Sequence, residues 1–319
     1  VSRDRPPSAS SSITPRPWEP SIINVTPYEE VTRTISDFLF SEVVERPDVS
    51  AGAPGILPGQ QAQVEIEAKI GHLMDKNTNE RLRLPVLTET ILSKAADLRI
   101  QFESSMTEAQ HRSLNEFLNK SLINSQPPKH PPQTPAGEAP PRTRIPMSYV
   151  HTHERDSFYE LSQPAIRSLP PAIRQQINLR HKLKVRVTTD QKTGKVLAKI
   201  VKVRLADLDV YSPRTAFDWR ISVNLEMNYE GDIDGLIEVH DPGRRNDRNK
   251  DRMSYRHLAY QIDLTQATSK TDKEHELEVE VNAAEVRRQG ILAKTGQITQ
   301  YEDLVRGFVD NVRVLARVV

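Results

Sequence analysis

Two stretches far apart in the chain alternate carboxylates with apolar residues. One is Val64-Glu65-Ile66-Glu67-Ala68-Lys69-Ile70; the other is His275-Glu276-Leu277-Glu278-Val279-Glu280-Val281. Side chains in a strand point alternately to opposite faces, so each stretch reads as a β-strand with one apolar and one ionised face. Same-face neighbours lie only ~7 Å apart, and successive glutamates at that spacing repel one another. A basic side chain, a metal ion or water must lie against them. Taken alone, a Glu-x-Glu-x-Lys strand reads more readily as a half-buried sheet edge with its charges in water, and only the three alternating glutamates make the two readings equal.

The 319 residues suffice for one large domain or two modest ones. Lys+Arg number 44 and Asp+Glu 43, a formal net charge of +1. Bulk charge therefore implies no general polyanion-binding surface, and any basic site must be local. The absence of cysteine excludes disulfides, zinc-thiolate centres and cysteine nucleophiles. No apolar run approaches the ~20 residues of a membrane span, so no membrane partner is expected. Residues 1–22, rich in Ser, Pro and Arg, read as a disordered lead-in. Residues 23–319 read as a single domain with a Pro-rich loop at about 125–146.

Thr26-Pro27-Tyr28-Glu29 has the form of a helix start: a threonine cap, proline at the first helical position and a glutamate reaching back. Thr107-Glu108-Ala109-Gln110 predicts a second capping box, followed by Leu114, Phe117, Leu118 and Leu122 at helical spacing. From about Gln300, the residues Leu304, Val305, Phe308, Val309, Val312 and Leu315 form the stripe of a last helix.

Between Tyr149 and Val281 the period changes to two. Lys182 to Val187 alternates basic with apolar, and Asp190 to Lys195, containing Gly194, predicts a hairpin turn. Val196 to Arg204 returns with Lys199, Lys202 and Arg204, although Ile200-Val201 interrupts the alternation. Trp219 to Glu226, Lys250 to Arg256 and Tyr260 to Thr265 continue the pattern before the glutamate strand. Such strands joined by short turns suggest an antiparallel meander, and closure into a barrel would remove its edges. The expected fold is α+β: a closed antiparallel β-barrel with helices over its apolar outside and charges lining its inside. Interior charges must be paired, hydrated or bound to ions. Clustered carboxylates suit Mg²⁺ or Mn²⁺, and Arg and Lys on neighbouring walls suit phosphate oxygens.

This constellation resembles the triphosphate tunnel metalloenzymes, and within them the fungal mRNA-capping RNA 5′-triphosphatases. Glu65-Ile66-Glu67-Ala68-Lys69 is similar to the family's first acidic strand and Glu276-Leu277-Glu278-Val279-Glu280 to its last. Arg220 to Glu226, Lys250-Asp251-Arg252 and Ile262-Asp263-Leu264-Thr265 fall between them in the family's order. The resemblance implies an eight-stranded tunnel and a nuclear enzyme. It would release the γ-phosphate of nascent 5′-triphosphate RNA with Mg²⁺ or Mn²⁺, leaving a diphosphate end for capping. It implies that Glu65, Glu67 and Glu280 hold the metal, and that Arg186, Lys250 and Arg252 grip the terminal phosphate. Glu226 would orient the attacking water, and Lys202 and Arg220 would be further phosphate contacts. Asp263 and Thr265 would support the basic groups, while Glu276 and Glu278 would pair with wall cations or metal-bound water. It also implies an mRNA guanylyltransferase partner docked through an N-terminal segment, and admits a homodimer. One departure is Gln261, where the family pattern leads one to expect an arginine; Arg256 is the neighbour that could compensate.

Two other readings share these motifs: a tunnel enzyme for tripolyphosphate or a small organic triphosphate, and a non-catalytic polyanion-binding scaffold. His151 and His153 share a strand face but lack further ligands by spacing, so they read as a polar strand start. Asp241 to Lys250 reads as a solvated charged loop, and Trp18 as a staple tying the lead-in to the domain in preference to part of a guanylyltransferase-docking peptide.

Overall fold

The computed structural model describes residues 18–47, 61–127, 144–177, 182–239, 247–269 and 272–319. Most of the expected disordered lead-in and Pro-rich loop, and Arg244 and Arg245, lie outside these residues. Eight long strands make the body: β1 (Gln63–Asp75), β2 (Ser148–Glu160), β3 (Lys184–Asp190), β4 (Val196–Tyr211), β5 (Asp218–Asn228), β6 (Asp247–His257), β7 (Tyr260–Thr268) and β8 (Lys273–Val281). They follow the order β6-β7-β8-β1-β5-β4-β3-β2, all antiparallel. Pairing of β2 with β6, from Ser157 opposite Asp247 to Ser148 opposite Arg256, closes the barrel.

The alternation of the sequence decides which way this barrel faces. Ile66, Ala68, Ile70, Trp219, Ile221, Val223, Leu264, Leu277 and Val279 point outward and are buried. Four longer helices help to cover them: α1 (Glu30–Leu39), α2 (Glu108–Ser125), α3 (Ala283–Lys294) and α4 (Tyr301–Ala316). Ile35 and Leu39 of α1, and Val305, Phe308, Val309 and Val312 of α4, join that same apolar cluster. Burying each such side chain contributes roughly 1.5–3 kcal/mol. A second cluster sits beside two short helices, where Leu169 and Ile173 meet Val185, Val201, Leu225 and Met227. The core therefore lies outside the barrel, which frees the lumen for charge.

The capping box at Thr107 and Gln110 is present, and the last helix starts where its stripe predicts. The first helix differs. It begins at Glu30, with Glu29 rather than Thr26 as N-cap, because the Glu29 carboxylate accepts from the Val31 and Thr32 amides. Its other anchor is Arg313 of α4, at 3.1 Å. Gly194 closes the predicted hairpin with φ of +67°, which glycine adopts without steric cost. In β1, Gly71 lets the strand pass from the barrel to a pairing with residues 100–103; a Cβ there would stand 2.1 Å from the Glu103 carbonyl oxygen. Trp18 is 98% exposed, so it packs against none of the described residues. Among the described residues no helix is long and apolar enough to cross a membrane.

Candidate active site

Strand register assembles the acidic wall. β1 and β8 lie side by side, with Glu67 opposite Glu280 and Lys69 opposite Glu278. On the other flank of β1, β5 sets Asn224 opposite Glu65 and Ser222 opposite Glu67. Asn224 Nδ2 donates to Glu65 Oε2 at 2.9 Å and to Glu67 Oε1 at 3.1 Å, tying the two carboxylates together. The Lys202 ammonium contacts Glu65 and lies 3.3 Å from Glu67 and 3.5 Å from Glu226. Burial pulls the Lys202 pKa down, but Glu67, Glu65 and Glu226 outweigh it and hold it above the usual lysine range. Lys199, the other lysine nearby, donates instead to the Gly231 carbonyl at 2.9 Å.

Glu280 is the crowded member. Burial, followed by Asp263, Glu65, Glu278 and Glu67, pushes its carboxyl up to about 8. Asp263, Glu278 and Glu280 each bring one carboxylate oxygen into a group lying within 4.8 Å of one another. Lys69 offsets one of these charges, with Nζ 2.6 Å from Glu278 Oε1. An all-oxygen, multiply anionic cluster has the chemistry of a hard divalent cation site, so these residues fit the metal the sequence implies. The predicted ligands Glu65, Glu67 and Glu280 lie on adjacent strands, and Asp263 and Glu278 add carboxylates that spacing alone did not assign to the metal.

The basic wall faces them. Lys250 Nζ lies 2.5 Å from Asp156 Oδ2. Burial drives the Lys250 pKa below the usual lysine value; Asp156 opposes that shift, while Arg252 and Arg186 add to it. Arg252 lies 3.3 Å from Asp263 and 3.9 Å from Glu154, and Arg186 lies 3.7 Å from Glu226. The Nε atoms of Arg186 and Arg252 are buried and find no hydrogen-bond partner among the described residues. A buried donor left in this way costs roughly 1–3 kcal/mol, which an incoming phosphate oxygen would recover.

Supporting contacts account for most remaining predictions. Arg248 Nη2 lies 2.7 Å from Glu276, so Glu276 is paired with a wall cation as expected. Gln261 Nε2 donates to both Asp263 oxygens at 3.1 Å, while its own Oε1 accepts from Arg256 Nε at 2.7 Å. Arg256 thus reaches Asp263 through Gln261. Thr265 is buried opposite Arg252 on the neighbouring strand. Arg220 differs from expectation: its Nε and Nη2 both donate to Asp209, at 2.6 and 2.8 Å, so the guanidinium is held by the wall. His151 and His153 are brought to Asp251 of β6, which contacts His151 and lies 3.8 Å from His153; this trio sits on a different face from Lys250 and Arg252.

Asp156, Glu154, Asn224, Asp207 and Asp209 were not singled out from the sequence. A bulge between Arg204 and Ala206 explains the last two. It shifts the strand's alternation by one residue, so that Lys202 on one side and Asp207 on the other both face inward.

A closed eight-stranded antiparallel barrel whose lumen sets glutamates against lysine and arginine has the architecture of the triphosphate tunnel fold. The family described as mRNA capping enzyme, beta chain, matches residues 25–319. The mRNA-capping enzyme subunit beta of Schizosaccharomyces pombe is 35% identical over 94% of this chain and 84% of its own length. That of Cryptococcus neoformans is 27% identical over 94% of this chain and 64% of its own. The solved structure of S. pombe Pct1 RNA triphosphatase in complex with the Spt5 CTD aligns with a TM-score of 0.76 and 34% identity, covering 95% of this chain and all of that one. The chain belongs to the mRNA capping enzyme beta-chain family. Its activity is that of a polynucleotide 5′-triphosphatase, which removes the γ-phosphate from triphosphate-ended mRNA in the first step of cap formation.

Proposed function

We propose that Glu65, Glu67 and Glu280 hold the divalent cation, Mg²⁺ or Mn²⁺, with Asp263 and Glu278 beside them. When bound, that cation supplies charge neutralisation at the phosphate oxygens. Arg186, Lys250 and Arg252 grip the γ-phosphate from the facing wall. Phosphoryl transfer leaves the protein little covalent work, so positioning and charge stabilisation dominate. Glu226 orients the water: its Oε1 is buried and finds no hydrogen-bond partner among the described residues. The water oxygen bonds to the γ-phosphorus, the bond to the β–γ bridging oxygen breaks, and diphosphate-ended RNA and inorganic phosphate leave. The observation that carries this reading is that the buried Nε donors of Arg186 and Arg252, without a hydrogen-bond partner among the described residues, stand beside a carboxylate cluster that Arg252 touches at Asp263. Phosphate release from triphosphate-ended RNA, ATP and tripolyphosphate, each with and without Mg²⁺ or Mn²⁺, tests it. Metal-dependent release from RNA is expected; release without metal, or from tripolyphosphate alone, would overturn it.

The substrate is made in the nucleus, and we place the enzyme there. The S. pombe triphosphatase was solved with the Spt5 CTD bound, and its 34% identity to this chain supports an equivalent contact here. We further infer that the segment around Trp18 docks the guanylyltransferase, since an exposed tryptophan is a ready anchor for a partner. Trp18→Ala should then weaken co-purification with the guanylyltransferase while leaving phosphate release unchanged; undiminished capture would count against this role.

A further inference from the structure

The tunnel face is polar around the two walls but not throughout. Phe158, Arg186 and Ile200 stand directly opposite one another on three consecutive strands, β2, β3 and β4. Arg186 is therefore flanked by two apolar side chains. Phe158 and Ile200 belong to none of the apolar clusters that make the outer core. Both are partly exposed, and both line a cavity of about 660 Å³ with Lys184, Arg186, Lys202 and Arg204. Arg186 and Lys202 also belong to the catalytic walls, so the cavity opens onto the place where the triphosphate lies.

The chemistry of this cavity differs from that of the walls. Arg204 is engaged by Asp207 at 3.2 Å and is about half exposed. Lys184 lies opposite Glu160 on the neighbouring strand and has no ion-pair partner among the described residues. An aromatic ring and a branched aliphatic chain, beside a phosphate-gripping arginine and an unpaired lysine, match a nucleotide rather than a bare polyphosphate. Rings of this kind bind single-stranded bases by stacking, and do so without sequence preference because every base has a π-face.

We propose that Phe158 and Ile200 form the subsite for the first nucleoside of the RNA. The base stacks on the Phe158 ring and packs against Ile200, and Lys184 faces the first phosphodiester. The subsite rests on the reading of Arg186 and Lys202 as neighbours of the bound triphosphate. It names the feature by which this tunnel prefers a nucleotide-bearing triphosphate to tripolyphosphate.

The test is kcat/KM for triphosphate-ended RNA and for tripolyphosphate, measured on the same preparation of wild type, Phe158→Ala, Ile200→Ser and Phe158→Trp. The ratio of the two values is independent of the fraction of enzyme that folded. Phe158→Ala should lower the ratio ~10-fold, in line with the usual effect of losing one stacked base. Ile200→Ser should lower it in the same direction, and Phe158→Trp should preserve or raise it. An unchanged ratio in Phe158→Ala, or equal losses on both substrates, would overturn the subsite. Wild type that hydrolyses tripolyphosphate but not RNA would instead overturn the assignment of RNA as substrate, which is a separate outcome.

Discussion

Glu280 carries the least balanced charge in the tunnel. Lys202 serves Glu65 and Glu67, and Lys69 serves Glu278, but Glu280 meets Asp263 and three glutamates. With its carboxyl pushed up to about 8, Glu280 must hold a proton at pH 7 in the metal-free protein, a cost that glutamine does not carry, and the same change removes the ligand. Glu280→Gln is therefore expected to melt roughly 2 °C higher than wild type in EDTA. It should show no further rise with Mn²⁺, and phosphate release should fall at least ~100-fold. Paired thermal melts with and without metal check this; a variant that still responds to Mn²⁺ would remove Glu280 from the ligand set. At this scale the sequence was readable wherever a side chain's role follows from its own strand. Glu65, Glu67 and Glu226 stood out because alternation puts them on a charged face, whereas Lys202 was set apart from Lys199 only by the resemblance, because Ile200-Val201 interrupts the alternation there. Asp156 and Glu154 did not, because their meaning lies in Lys250 and Arg252 across the β2–β6 seam, and register there depends on how the barrel closes. Asp209 was hidden by the bulge that turns it inward, and with it the fate of Arg220.

The N-terminus of α1 shows how one element is fixed to another. Glu29 caps the helix through the Val31 and Thr32 amides and also meets Arg313, which in turn holds Glu89 at 2.6 Å. Burial would raise the Glu29 pKa, but the Thr32 hydroxyl and amide and Arg313 overcome this and bring it to about 2. A depressed carboxyl stabilises the fold fully above its unfolded value, near 4.5, and loses that contribution as pH falls toward 2. Glu29→Gln should therefore cost about 0.5–1 kcal/mol at pH 7, a modest figure because the side chain is half exposed. The difference from wild type should shrink as pH drops from 4.5 toward 2. Urea melts across that window test it; a difference that stays constant would mean the contact does not depend on the carboxylate. The same helix start eluded sequence reasoning because Thr26-Pro27 is a sound local signal, and the cap that prevailed depends on an arginine nearly three hundred residues away.

At the scale of the whole molecule, the barrel is inverted relative to a small soluble barrel: apolar side chains face out under helices, and ionised ones face in. Closure was legible because six strands share that polarity and an open charged sheet would expose edges. Its consequence is that the lumen carries a carboxylate-rich wall and an arginine- and lysine-rich wall. A cation bound at Glu65, Glu67 and Glu280 lowers the repulsion within one wall. A polyphosphate bound at Arg186, Lys250 and Arg252 satisfies donors on the other, and the two ligands attract each other across the lumen. Each should therefore bind more tightly in the presence of the other, and by reciprocity to the same degree. A ligand at one hundred times its dissociation constant stabilises the fold by ~2.7 kcal/mol. Mn²⁺ and a non-hydrolysable triphosphate together should raise the melting temperature by more than the sum of their separate shifts at the same concentrations. Strictly additive shifts would mean that the two walls do not act on a common ligand, and that the carboxylate cluster serves the fold rather than the reaction.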